Sequence, residues 1–265
     1  MKIDFYPAAS PWDEDIDRNR AYALGLGLPR INDAKPEARP PLALVGGGPS
    51  IVQHVNELRA WPGEVWAING AAQWCREHGI DAALFTIERQ PATDLYRRYT
   101  EGVTRAVLAT ICRPELFDFL LANHADIRVF DLHQHGGYGC GTSTATAAPI
   151  VAFSMGHHPV HLFGCESSWR AEPHAYGGEP AVDKDMLVAC GGTLYRTTPA
   201  FAMQAQVLAH LIRELSGQIV DRSGGLLAAM AEHGAIYDIL QISPALRDSL
   251  EPYNDAPPRA PAAAA

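Results

Sequence analysis

The chain has 265 residues, 47% of them hydrophobic and 19% charged, which supplies apolar side chains for one sizeable core. Its 21 basic and 30 acidic residues give a formal net charge of -9, which argues against a nucleic-acid backbone or an anionic membrane as the main partner. A small phosphorylated ligand stays open, because backbone N–H groups and a few arginines suffice to hold one.

Residues 1–40 are rich in Pro, Asp and Arg without periodicity and are expected to form an irregular wrap. The N-terminus has no apolar h-region, and no apolar run approaches the ~20 residues of a membrane span, so a cytoplasmic location without a membrane span is expected. An alternation of elements begins at residue 42. "LALVG" (42–46), "EVWAIN" (64–69), "DAALFTI" (81–87), "RAVLATI" (105–111), "DIRVFD" (126–131) and "PVHLFG" (159–164) read as strands. Helical patterns fill most of the intervals, beginning with "PSIVQHVNELRAW" after the first strand. Strands alternating with helices predict an α/β fold: a Rossmann-like, mostly parallel sheet flanked by helices, with an irregular N-terminal segment and C-terminal helices. A long polar loop is expected from 164 to about 192. A long helix (199–216), a short strand "QIVD" and a last helix "GLLAAMAEHG" follow. The long helix suits a core position or the interface of a homo-oligomer equally. Residues 41–240 are thus expected to form the ligand-binding domain, and 241–265 a tail whose Pro/Ala-rich end is disordered.

The five cysteines (75, 112, 140, 165 and 190) are odd in number and show no C-x-x-C spacing, so reduced thiols are expected. The histidines of "GHHPVH" and "HQH" lack further ligands at zinc spacing. Neither a P-loop nor a complete dinucleotide fingerprint nor a G-x-S-x-G elbow is present.

Parallel sheets bind ligands beyond the carboxyl ends of their strands, so the loops there carry the candidates. Gly46, Gly47, Gly48, Pro49 and Ser50 join the first strand to a helix start. They read either as a tight packing turn or as a cradle for phosphate. The loop "HGGYGCGTST", with Gly141, Thr142 and Ser143, is a second Gly-rich and hydroxyl-bearing helix start, which also reads as a simple cap. Asn69 is a turn residue or a hydrogen-bonding amide at the same edge. Glu88 and Arg89 end the third strand. Glu166, Arg170 and His174 follow the sixth, with Glu166 suited to magnesium or to acid–base work and His174 to proton transfer. Each also reads as an ordinary loop residue. Trp169 and Tyr176 suit stacking or loop packing.

The ordered segments "LVGGGPSI", "AING", "GIDAALFTIE", "GTSTATAAPIVAFSMGHHPVHLFGCESS", "PHAYGG", "GGTLYRTTPAF" and "IVDRSGGL" resemble the MptE-like 6-hydroxymethylpterin diphosphokinase family. The same core is similar to Maf-type flagellin glycosyltransferases and, more distantly, to bacterial sialyltransferases that use CMP-sialic acid. The resemblance implies a nucleotide at Gly46–Ser50, held also by Asn69 and the Thr142–Ser143 turn. It puts His174 near the reacting groups, and Thr197 and Gly224 on the other side. It implies magnesium, with Glu88 and Glu166 standing where the family commonly has Asp. The implied activity is a transferase: diphosphoryl transfer from ATP to a hydroxymethyl-bearing acceptor, or glycosyl transfer from a CMP- or UDP-sugar to a small-molecule or glycan acceptor. A non-catalytic nucleotide-binding protein is the alternative from another class.

Overall fold

The computed structural model of the protein describes residues 15–33, 37–89, 93–132, 143–169, 174–175, 186–234 and 238–240. Seven strands form one sheet: β1 (Leu42–Val45), β2 (Glu64–Ile68), β3 (Ala83–Thr86), β4 (Arg105–Ala109), β5 (Asp126–Phe130), β6 (Val160–Phe163) and β9 (Ile219–Asp221). The order is β5-β4-β3-β2-β1-β6-β9 and every pairing is parallel. The short apolar runs read from sequence are therefore strands buried on both faces, and β1 and β3 are buried at every position.

The chain walks outward from β1 to β5 through α2 (Val55–Arg59), α3 (Ala71–Glu77), α4 (Thr93–Thr100) and α5 (Pro114–Ala122). Right-handed crossovers put these four helices on one face. α6 (Thr144–Ser154) then returns across β1, β2, β3 and β6, on the opposite face, and α7 (Pro199–Glu214) packs beside it. A stack of Trp66, Phe85 and Phe130 lies on that face, with ring centroids 5.4 and 5.3 Å apart. β6 enters the sheet on the far side of β1, so the strand order reverses between β1 and β6. That reversal is the switch point at which such sheets bind ligands.

Three local features differ from the sequence expectation. The interval 164–192 is not all loop: β7 (Met186–Cys190) and β8 (Thr193–Thr197) form a hairpin, and β10 (Asp238–Leu240) pairs with β7 to complete a small antiparallel sheet. The hairpin turn is Gly191–Gly192, with φ +58° and +77°, the two positive angles that a two-residue turn of this kind requires. The helix after β1 opens as a 3₁₀ segment, Pro49–His54, before the single α-turn of α2. The N-terminal stretch carries α1 (Ile16–Gly25), which buries only Asn19 and Ala23. Polar contacts anchor it: Asn19 donates to the Ile111 carbonyl, and Arg20 and Arg30 both reach the buried Asp131 at the end of β5. α7 buries Ala202, Gln204, Ala205, Leu208 and Ala209 and packs against α8 (Gly225–His233).

Candidate functional site

At the switch point β1 and β6 run in register, Val45 beside Phe163, and their following loops touch. Gly46 N–H donates to the Phe163 carbonyl at 2.7 Å and Gly48 N–H to the Gly164 carbonyl at 2.8 Å. A Cβ on Gly46 would lie 2.4 Å from the Gly164 oxygen, and one on Gly164 would lie 2.3 Å from Ile51 Cγ2. These glycines are therefore required by close backbone approach, whatever else they do.

The loop after β6 is pinned at each residue from 165 to 169. Cys165 N–H donates to Ser223 Oγ at 2.8 Å, and the Glu166 carbonyl accepts from Leu227 N–H at 3.1 Å. Ser167, at φ +55°, has its carbonyl held by Thr197 Oγ1 at 2.7 Å. Ser168 Oγ accepts from Leu226 N–H at 3.0 Å, and Trp169 N–H donates to the Arg196 carbonyl at 3.1 Å. Glu166 itself is 5% exposed. Its Oε1 accepts the Ser50 N–H at 2.7 Å and its Oε2 the Ser50 hydroxyl at 2.9 Å. The protein's own carboxylate thus sits at the helix start that the sequence offers to phosphate. Burial pushes the Glu166 acid upward, the Ser50 bonds pull against that, and nearby Asp221 adds to the rise.

Above these loops lies a cavity of about 450 Å³, within the range of small-ligand sites. Of the residues singled out from sequence, Gly46, Gly47, Gly48, Asn69, Glu88, Arg89, Ser143, Glu166, Trp169 and His174 all line it. Pro49, Ser50, Thr197 and Gly224 do not. Ser50 is held behind Glu166, Thr197 is fully buried under Ser167, and the Gly224 N–H serves the Asp221 carboxylate at 3.2 Å. Gly141, Thr142, Arg170 and Tyr176 lie outside the described residues. The cap reading of Ser143 holds: its hydroxyl accepts from Thr146 N–H, and Thr146 Oγ1 accepts from Ser143 N–H, a complete capping box.

Asn69 sits at φ +49°, the left-handed region an Asn tolerates, and its buried Oδ1 has no hydrogen-bond partner among the described residues. His174 is partly buried, which pushes its imidazole below the ordinary value, while a bond with the Gly47 carbonyl works the other way. The cavity also uses residues not singled out from sequence: Ile68, Ile87, Tyr99, Phe201 and Gln204. Phe201 meets the rings of Trp169 and His174 edge-on, at 5.8 and 6.0 Å. The signal for Gln204 was present, as a polar residue within the apolar stripe of a helix.

The two carboxylates suited to magnesium by the sequence already have partners within the protein. Both Glu166 oxygens are engaged by Ser50, and Glu88 Oε1 accepts from Arg89 N–H at 3.1 Å. Among the described residues no three His, Cys, Asp or Glu side chains gather. The histidines of "GHHPVH" are packing groups: His157 Nδ1 faces the Pro40 carbonyl, while His158 and His161 lie against Phe153 and Trp61. Among the described residues no helix is long and apolar enough to cross a membrane.

Fold and cavity define an α/β protein with a cavity at the switch point of a parallel sheet. No family model and no curated protein matches the chain. Among solved structures, a Maf glycosyltransferase from Magnetospirillum magneticum AMB-1 shares the fold, with 15% identity and a TM-score of 0.59 over 83% of this chain. The match spans 38% of that protein's length.

Proposed function

We propose that the protein is a glycosyltransferase that moves a sugar from a CMP- or UDP-sugar to a hydroxyl of a small-molecule or glycan acceptor. The observation that carries the proposal is the convergence of the Gly46–Gly48 loop, Asn69 and the start of α6 on one cavity that also contains His174. The fold shared with a protein described as a Maf glycosyltransferase supports this transfer over diphosphoryl transfer, for which no feature of the site speaks separately.

In this reading Gly47 and Asn69 hold the nucleotide, since the N–H groups of Gly46 and Gly48 are bound to the loop after β6. His174, kept neutral by burial, accepts the proton of the attacking hydroxyl. The new bond forms between the acceptor oxygen and the anomeric carbon. The bond from that carbon to the phosphate oxygen breaks, and the nucleotide leaves with the electron pair. Arg89 lines the cavity as a cation for the departing phosphate. Glu166 acts by holding the Ser50 turn in place. No step is routed through magnesium.

Calorimetry with CMP, UDP and ATP, each with and without magnesium, tests the proposal. A cytidine or uridine nucleotide is expected to bind, and His174→Ala to keep that binding while losing product formation. Binding of ATP alone, dependent on magnesium, would instead favour diphosphoryl transfer and return Glu88 to the metal. Nucleotide binding with no turnover against any sugar donor would leave a binding protein.

A further inference from the structure

α7 buries one polar residue in its apolar stripe. Gln204 is 7% exposed and lies between Phe201 and Leu208 on the same helix face. Its amide joins two segments that both line the cavity. Oε1 accepts the Ser143 hydroxyl at 3.0 Å, and Nε2 donates to Ser167 Oγ at 3.0 Å.

Each neighbour dictates which end of the amide it meets. The Ser143 oxygen already accepts the Thr146 N–H, so its hydrogen is free to be given to a carbonyl. Ser167 Oγ gives its hydrogen to the Cys165 carbonyl at 3.1 Å, so its oxygen is free to accept. A side chain with an acceptor at one end and a donor at the other satisfies both at once, and the Gln204 amide does so. An apolar residue would suit the stripe better. A carboxylate would serve Ser143, and would hold Ser167 only by drawing its hydroxyl off the Cys165 carbonyl.

We propose that Gln204 is a positioning residue. It fixes the spacing between the start of α6 and the loop that carries Glu166, and so sets the width of the cavity for the phosphate-bearing end of its ligand. The ligand clause rests on the nucleotide reading above; the brace itself does not.

The test uses the full chain, with Gln204→Met and Gln204→Glu variants, amide hydrogen exchange without ligand, and calorimetry with CMP and UDP. In Gln204→Met, exchange is expected to speed by about tenfold at 144–147 and at 165–169, with other segments and Tm little changed. Affinity for whichever nucleotide the parent binds is expected to fall by about tenfold or more. Gln204→Glu is expected to restore protection at 144–147 only. Unchanged exchange in both segments of a folded Gln204→Met variant would overturn the brace, and undiminished affinity would overturn its role in the ligand site. If Gln204→Met does not fold, Gln204→Glu decides: equal protection of the two segments overturns the proposal. If the parent binds neither CMP nor UDP, the nucleotide reading fails while exchange still decides the brace.

Discussion

The carboxylate of Glu166 occupies the space that a side chain at residue 48 would fill: a Cβ on Gly48 would lie 2.2 Å from its Oε2. Gly48 has φ -66°, which any residue adopts, so the glycine is there for space and not for backbone freedom. Gly48→Ala should therefore eject the carboxylate from Ser50 and leave a buried acid without its partners, at a cost of about 1–3 kcal/mol. With Glu166→Ala already in place the same change should be nearly silent. A double-mutant cycle by urea denaturation checks this, with coupling of about 0.5–3 kcal/mol expected. Simple additivity would show that the two residues do not share one space.

The pH dependence of stability carries a sign set by the same acid. Burial raises the Glu166 acid above its ordinary 4.5, so the native state holds this proton more tightly than the unfolded chain does. Its contribution is fully present below 4.5 and is lost as pH rises through the raised value. Asp221, raised chiefly by burial, acts in the same direction. Urea midpoints from pH 4 to 8 should fall more steeply for the parent than for Glu166→Gln. Parallel curves would contradict the assignment.

His174 titrates with the opposite slope. Its imidazole is held below the ordinary 6.5, first by burial. The stability tied to the neutral ring is present above 6.5 and lost as pH falls through the lowered value. An NMR titration of the ring should therefore midpoint below 6.5, and the acidic limb of any product assay should follow that midpoint. A midpoint at or above 6.5 would remove His174 as a neutral base at the cavity.

How much of this was legible depends on the kind of force involved. Six strands of the sheet are readable because fully buried strands such as Leu42–Val45 and Ala83–Thr86 are short apolar runs closed by turn residues; the seventh, β9, reads only as a short separate strand. The place of the cavity followed from topology, and Asn69, Glu88, Ser143, Glu166 and His174 meet there. Which groups were already spent was not legible. Sequence shows that Ser50 and Ser143 have hydroxyls, but only a fold shows that Glu166 and Gln204 use them. α1 is not legible in the sequence because IDRNRAYALG has no apolar stripe and is held by Asn19 and Arg20 instead. The β7–β8 hairpin was signalled by Gly191–Gly192 between two strand-forming runs, and the polar residues before it masked that signal.

Asp131 is the clamp for that N-terminal segment. Its side chain is 1% exposed and meets Arg20 at 2.9 Å, Arg30 at 2.6 Å and Thr110 Oγ1 at 2.7 Å. Burial alone would raise its acid, but Arg20, Thr110 and Arg30 together hold it below the ordinary 3.8. Its stabilisation is therefore present above 3.8 and lost as pH falls through the lowered value. Asp131→Asn should cost about 3 kcal/mol, since it leaves two arginines without their shared anion. Limited proteolysis should then cut within 15–33 before the sheet unfolds. Unchanged stability and an uncut N-terminus would mean that α1 is held elsewhere.

The two glycines of the β7–β8 turn separate backbone strain from collision. Both have positive φ, so alanine at either pays about 1 kcal/mol for the left-handed conformation. Nothing lies within 4 Å of a Cβ at Gly192, whereas one at Gly191 would lie 2.2 Å from His233 Cδ2 at the end of α8. Gly191→Ala should accordingly lose more stability than Gly192→Ala, and the excess should vanish in a His233→Ala background. Thermal or urea unfolding of the four variants measures it. Equal losses at the two positions would mean that the His233 ring swings clear of the turn and does not brace the hairpin.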